Sequence, residues 1–338
     1  VVGNPMMLWL IDLGAPARML LVASHVFAAI VFALSVFTTS FWPMAILLAL
    51  ASFIHAPSVA IVDATVTRAS RRDPALGYGR IRVWGSISFI AATLIGGFVV
   101  QHFSPIAAVW LLVAGMVAGA AFFTLTPRET DATTTAAPVD ESSATAPVLA
   151  LAAAIGASAT IQSSHAALYG FSSIHWKWIG YSGELIGVLW VIGALAEIAL
   201  FARFSMLAAR PRGALQRLAI AAGVAILRWS VMAFDPPLWA TIILQCLHAF
   251  TFGMTHLAAM AALSLLAPPA WRGRAQGAHA SVIALLMSSS TYAAGFLYER
   301  HGVAAYGFMV VLALIGAGFV AIAWRLTPHQ PQRDVSGG

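Results

Sequence analysis

The sequence predicts an all-α membrane protein built as two pseudo-symmetric helix bundles. Three observations predict it. The 338 residues are 60% hydrophobic and only 9% charged, against roughly 25% charged residues in an average soluble domain, so most of the surface must face hydrocarbon. The apolar residues fall into runs of about 20, the length of a helix that crosses a bilayer. A set of polar and turn residues from the first half recurs in the same order in the second, as inverted or duplicated helix units require.

After a short apolar opening, Val1 to Ile11, the runs place spans near 17–38, 42–67, 80–101, 105–125, 148–173, 183–204, 213–234, 238–266, 275–298 and 303–325. Pro43, Pro105, Pro236-Pro237, Pro268-Pro269 and Gly302 punctuate them, since proline and glycine end or restart helices. The segment Thr126 to Pro147 is rich in Thr, Ala, Pro, Ser, Asp and Glu. It is too polar to cross and reads as a flexible linker. The expected organisation is an N-terminal bundle over 1–125, a cytoplasmic linker over 126–147, a C-terminal six-helix bundle over 148–326 and a cytoplasmic tail over 327–338.

The arginines orient these spans. Arg68, Arg71, Arg72, Arg80 and Arg82 sit in one loop and its edges, which marks that loop as cytoplasmic. Alternating the remaining loops puts Arg18, Arg128, Arg203, Arg210, Arg212, Arg217, Arg272, Arg274, Arg325 and Arg333 on the same side. Only Lys177 and Arg300 fall opposite, and Arg228 falls inside a span. The same distribution excludes nucleic acid as the reason for the formal charge of +6, because the cations do not gather on one soluble face. The single cysteine, Cys246, excludes an internal disulfide, and the opening residues carry no cleavable signal.

The internal repeat pairs His55-Ala56, with Asp63 eight residues after the histidine, with His248-Ala249 and His256 at the same interval. Each pair lies in a span that follows a proline, and each leads to a Gly-Arg step, Gly79-Arg80 and Gly273-Arg274.

Ionisable groups inside hydrocarbon cost several kcal/mol and need a partner, a wet cavity or a role. At 100° per residue Ser158, Gln162, His165 and Tyr169 share one stripe. Gln245, His248, Phe252 and His256 share another, and Trp190, Ala194, Glu197 and Phe201 a third. Glu197, near mid-span, reads as a proton site modulated by Arg228 or His256, or as one half of a structural Glu197–Arg228 pair. Arg228 reads equally as the contact for a substrate carboxylate. Gln162, His165, Tyr169, Trp190, Gln245 and His248 read as cavity-lining groups. Asp63 is expected to close a cytoplasmic gate with Arg80 or Arg82. Trp84, Trp176, Trp178 and Trp239 near span ends read as interfacial anchors. His248 and His256 lack further ligands at metal spacing. No glycine-rich run has phosphate-loop spacing, and no nucleophile–base pair sits at mid-depth. Neither metal, cofactor nor enzymatic activity is expected.

Several ordered blocks resemble one family. They are Tyr78-Gly79-Arg80-Ile81-Arg82-Val83-Trp84-Gly85-Ser86, His165-Ala166-Ala167-Leu168-Tyr169-Gly170-Phe171-Ser172, Leu227-Arg228-Trp229, Leu247-His248, Thr255-His256-Leu257-Ala258-Ala259-Met260 and Ala294-Gly295-Phe296-Leu297-Tyr298. The chain is similar to the major facilitator superfamily, and within it to the phenylpropionate permease family, related to the lactose and nucleoside proton symporters. The resemblance implies the major facilitator fold with about ten of its twelve helices present. The family's first helix and most of its second are absent, Val1 to Ile11 being the tail of the second. The superfamily's signature loop survives as Asp12, Gly14 and Arg18. It also implies that the spans carrying His165 and His248 line the cavity.

The expected activity is proton-coupled symport of a small organic solute, such as an aromatic carboxylate, by alternating access. The chain is expected as a monomer in a bacterial cytoplasmic membrane, its C-terminus cytoplasmic. A sugar or nucleoside symporter, an exporter, or a non-transporting remnant remain as alternatives.

Overall fold

A computed structural model describes residues 15–58, 61–62, 78–126, 148–203, 210–268 and 271–327, with backbone only at 78–83, 86, 203 and 272–274. Contacts divide the chain into two compact units, Val1–Ala136 with Ser182–Val188, and Ala137–Tyr181 with Leu189–Gly338.

In the first unit the helices are α1 (Ala17–Ser35), α2 (Phe41–His55), α3 (Tyr78–His102) and α4 (Pro105–Leu125). Helix starts follow local chemistry. Pro105 occupies the first turn of α4, and the Ser104 hydroxyl accepts the Ala107 N–H at 3.1 Å, satisfying one of the amides that a helix start leaves open. Helix α1 packs on α2 and α4. Ser24 Oγ meets Ser58 Oγ at 2.8 Å, and the Arg18 guanidinium donates to the Thr124 carbonyl. Phe41, Trp42, Phe122 and Leu125 are widely exposed, as lipid-facing side chains are.

The second unit holds α5 (Val148–Ser163), α6 (Ala166–Trp178), α7 (Gly183–Arg203, from Leu189 on), α8 (Pro211–Met232), α9 (Leu238–Cys246), a π-helical segment (Ala249–Met254), α10 (Thr255–Leu266), α11 (Arg272–His301) and α12 (Tyr306–Leu326). Its core is built largely of alanine and leucine: Ala153, Ala154 and Ala157 of α5 meet Ala214, Leu215 and Leu218 of α8 and Ala258, Ala261 and Ala262 of α10. Small side chains let helix backbones approach closely, and that packing replaces the hydrophobic effect that lipid removes.

Two expected spans are broken. The run 148–173 splits at Ser164-His165 and continues to Trp178. The cause is local. Ser158, Thr160 and Ser164 turn their hydroxyls onto carbonyls three or four residues back, which competes with the helical ladder. His165 takes φ −85°, ψ 0°. The run 238–266 carries the π segment, where the Thr255 hydroxyl donates to the Thr251 carbonyl at 2.7 Å. Among the described residues, six segments are long and apolar enough to cross a membrane, with Phe41–His55 and Ile87–His102 as shorter apolar helices.

Trp84, Trp178 and Trp239 are exposed, as interfacial anchors are. Trp176 is buried, 3% exposed, and its ring faces Trp190 at 6.2 Å. That contact replaces the expected anchoring at this one tryptophan. Apart from Thr126 and Thr327, the expected linker and tail lie outside the described residues, as does the opening segment.

Candidate functional site

The second unit gathers nearly all the polar residues singled out above around one cation. Arg228, in the last turns of α8, is 0% exposed. Its NH2 donates to Gln245 Oε1 at 2.6 Å, at the end of α9. Its NH1 donates to Thr251 Oγ1 at 2.9 Å in the π segment and reaches His248 Nδ1 at 3.4 Å. The guanidinium carbon lies 4.6 Å from the Trp229 ring centre, a cation–π contact. Trp229 is fixed in turn. Its indole N–H donates to Ser164 Oγ at 2.8 Å, and its ring stacks on Tyr306 at 5.8 Å.

Hydrogen-bond directions follow from chemistry. The Gln162 carbonyl can only accept, so His165 Nδ1, 3.0 Å away, carries a proton. Nε2 of the neutral ring is then an acceptor, 2.9 Å from Thr251 Oγ1, and takes the threonine proton. Thr251 Oγ1 accepts from Arg228. A directed chain therefore runs from Arg228 through Thr251 and His165 to the Gln162 backbone, and Thr251 is its middle link.

Rings extend the site. His165 stacks on Tyr169 at 5.6 Å, and Tyr169 on Trp190 at 5.9 Å. Trp190 donates its N–H to Ser173 Oγ at 2.9 Å. His248 stacks on Phe252 at 5.2 Å and meets His165 edge-on at 5.3 Å.

Glu197 Oε2 lies 3.8 Å from His248 Nε2. A Cβ at Gly253 would sit 3.1 Å from Glu197 Cγ, and one at Gly193 3.4 Å from His248 Cβ. Glycines at these two crossings let α7 carry its acid against the π segment. Among the described residues no carboxylate comes within 4 Å of Arg228. The expected Glu197–Arg228 ion pair is thus replaced by a Glu197–His248 contact, because His248 stands between acid and base.

Gln162, His165 and Gln245 are buried, Tyr169 is exposed, and Trp190 and His248 are part-buried. His256 is exposed and lies within electrostatic reach of His279. The expected single face Gln245–His248–Phe252–His256 assumes a uniform α-helix. The π segment Ala249–Met254 lies between His248 and His256 and breaks that uniformity. Ser158, expected on the cavity stripe, bonds His279 at 2.8 Å. Asp63 lies outside the described residues, as do the side chains of Arg80 and Arg82. The sequence reading missed Thr251, Ser164 and Tyr306. The signal for Thr251 was its position three residues after His248 in an otherwise apolar run.

An all-helical chain with a buried cation, an acid and stacked rings inside one bundle has the make-up of a solute transporter of the major facilitator fold. By structure the chain resembles the nucleoside transporter NupG in its D323A form. That match has a TM-score of 0.66 at 17% identity, over 92% of this chain and 83% of that one. The MFS_1 like family matches residues 1–310. A probable 3-phenylpropionic acid transporter of Escherichia coli (strain K12) is 31% identical over 282 residues, covering 81% of this chain and 72% of that one. The chain belongs to the MFS_1 like family of transporters, a multi-pass membrane protein that moves a small-molecule solute.

Proposed function

We propose that this transporter is a proton-coupled symporter of a small aromatic carboxylate, acting by alternating access. The observation that carries the reading is the fully buried Arg228 guanidinium, whose described hydrogen-bond partners are all neutral. A buried charge without a counter-charge is costly, and a solute carboxylate supplies that charge in a form that forks onto a guanidinium. The rings of Tyr169, Trp190 and Phe252 give an aromatic solute faces to stack on. The phenylpropionic acid named for the Escherichia coli relative has both groups.

In this reading Gln162, His165, Tyr169, Trp190, Gln245 and His248 contact the solute. Glu197, with Arg228 and His256, couples it to protons, and Asp63 with Arg80 and Arg82 closes the cytoplasmic side. The protein works as a monomer in a bacterial inner membrane, its C-terminus cytoplasmic.

The test is uptake of 3-phenylpropionate by vesicles carrying the protein under an imposed inward proton gradient. Accumulation above the outside concentration, collapsed by a protonophore, is the expected result. Glu197→Gln lowers accumulation at least tenfold and counterflow exchange by much less, because the amide keeps the size and hydrogen bonding of the side chain but not the charge that faces His248. Uptake of a sugar or nucleoside in place of 3-phenylpropionate overturns the substrate class. Normal accumulation by Glu197→Gln excludes its proton role.

A further inference from the structure

Resting on the carboxylate and proton reading above, we propose that the coupled proton binds Nδ1 of His248, an atom that Arg228 keeps occupied until a solute carboxylate draws the guanidinium away. A guanidinium can only donate. At 3.4 Å from Arg228 NH1, His248 Nδ1 is therefore the accepting nitrogen, and the neutral ring carries its proton on Nε2. That nitrogen faces Glu197 Oε2 at 3.8 Å. The ring is wired in one direction, with Arg228 on one nitrogen and the acid on the other.

The surroundings hold it there. Gly193 of α7 backs its Cβ closely, and Phe252 stacks on its face at 5.2 Å. Among the described residues, the titratable or charged groups facing the ring are Arg228 from α8, Glu197 from α7, and His165 and Tyr169 from the α5–α6 segment, the last two at ring distances of 5.3 and 6.2 Å. Of these only Arg228 bonds Nδ1.

The exchange balances. A solute carboxylate accepts the Arg228 N–H, and the N–H···Nδ1 bond breaks. A proton from the aqueous phase then forms a new N–H bond at Nδ1. The imidazolium keeps its Nε2–H toward Glu197, whose carboxylate offsets the added charge. When the solute leaves, Arg228 returns to Nδ1 and the proton departs, one proton for each carboxylate. The Glu197 carboxyl acts as counter-ion and is not the atom that gains the proton.

Three measurements decide the assignment. Nitrogen-15 spectra of solute-free protein with ring-labelled histidine, with the His248 signal identified by its loss in His248→Asn, read the tautomer directly. A bare Nδ1 is expected. A neutral ring protonated on Nδ1 overturns the inference whatever the solute proves to be. The second measurement is proton uptake from weakly buffered solution as 3-phenylpropionate binds, expressed per solute bound. About one proton is expected for the wild type and at least tenfold less for His248→Asn, which offers Arg228 an accepting oxygen but takes no proton. An unchanged ratio in the variant overturns the inference. The third needs no variant. Infrared difference spectra on solute binding should contain histidine ring bands that move with the ring label. A protonated-carboxyl band in their place assigns the proton to Glu197 and sinks the proposal. Failure of the wild type to bind 3-phenylpropionate refutes the substrate reading alone, and the tautomer measurement still judges the wiring.

Discussion

The two units place the same short pattern in different chemistry. His55-Ala56-Pro57-Ser58 in the first corresponds to His248-Ala249-Phe250-Thr251 in the second. In both, the hydroxyl three residues after the histidine is buried against a polar side chain of another helix. In the first unit that partner is Ser24, at 2.8 Å, beside His25, whose ring meets His55 edge-on at 4.7 Å. In the second it is Arg228, at 2.9 Å. The neutral pair supports packing. The charged one sets hydrogen-bond direction through two histidines. Among the described residues, the same register carries a neutral serine pair in the first unit and a buried cation in the second.

The largest expected effect comes from removing that cation. Arg228→Ala strands Gln245 Oε1 and takes away the guanidinium a carboxylate would fork onto. Each charge-assisted hydrogen bond contributes roughly 1.5–3 kcal/mol. Losing two corresponds to at least about a hundredfold loss of 3-phenylpropionate uptake per molecule inserted. Arg228→Lys carries the charge on a single nitrogen without the fork and should recover only part of it. Near-normal uptake by Arg228→Ala, measured against protein level in the membrane, would break the contrast between the units.

The next effect isolates the hydroxyl. Thr251→Val keeps the shape and leaves His165 Nε2 and one Arg228 N–H without their partner. Buried polar groups left unsatisfied cost about 1–3 kcal/mol each, so with two groups stranded uptake should fall at least roughly thirtyfold. Thr251→Ser restores the hydroxyl and should restore most of the activity. If Val and Ser behave alike, the directed chain through Thr251 is not what the site depends on.

Much of this arrangement was legible in the sequence. The spans were, because 20-residue apolar runs and their proline boundaries are imposed by the bilayer itself. That Glu197, Arg228, His165 and His248 would need polar partners was legible as well, because such groups are expensive inside hydrocarbon. Their partners were not. Periodicity at 100° per residue holds only while the helix stays α, and the turn containing Thr251 does not. The residues after it leave the predicted face, and His256 is exposed. Threonine in an apolar helix is ordinarily read as bonding its own backbone, which is what Thr255 does and why Thr251 drew no notice. Nor does a sequence reveal that His248 stands between Glu197 and Arg228. That depends on two glycines, Gly193 and Gly253, whose helix crossings no periodicity encodes.

The smallest expected effect tests whether the first unit's pattern is structural alone. Ser24 Oγ donates to the Leu21 carbonyl at 2.9 Å, so toward Ser58 it accepts. Ser58→Ala removes the donor and orphans no proton, because the Ser24 hydroxyl hydrogen is already placed. Side-chain hydrogen bonds between membrane helices average about 0.6 kcal/mol, so the variant should lose about that much stability, read as a drop of roughly 1 °C in thermal midpoint. Uptake per molecule should stay within about threefold, since 0.6 kcal/mol is less than a threefold change in any equilibrium. The double variant Ser24→Ala/Ser58→Ala sharpens this. The two residues share one bond, so their losses should be non-additive by about the bond's own value. In the second unit the corresponding hydroxyl has two partners, a cation and an imidazole, and removing it disturbs both. If Ser58→Ala lowered uptake as far as Thr251→Val does, with protein level unchanged, the serine–histidine cluster of the first unit would belong to the transport machinery too. The duplicated register would then mark two working sites.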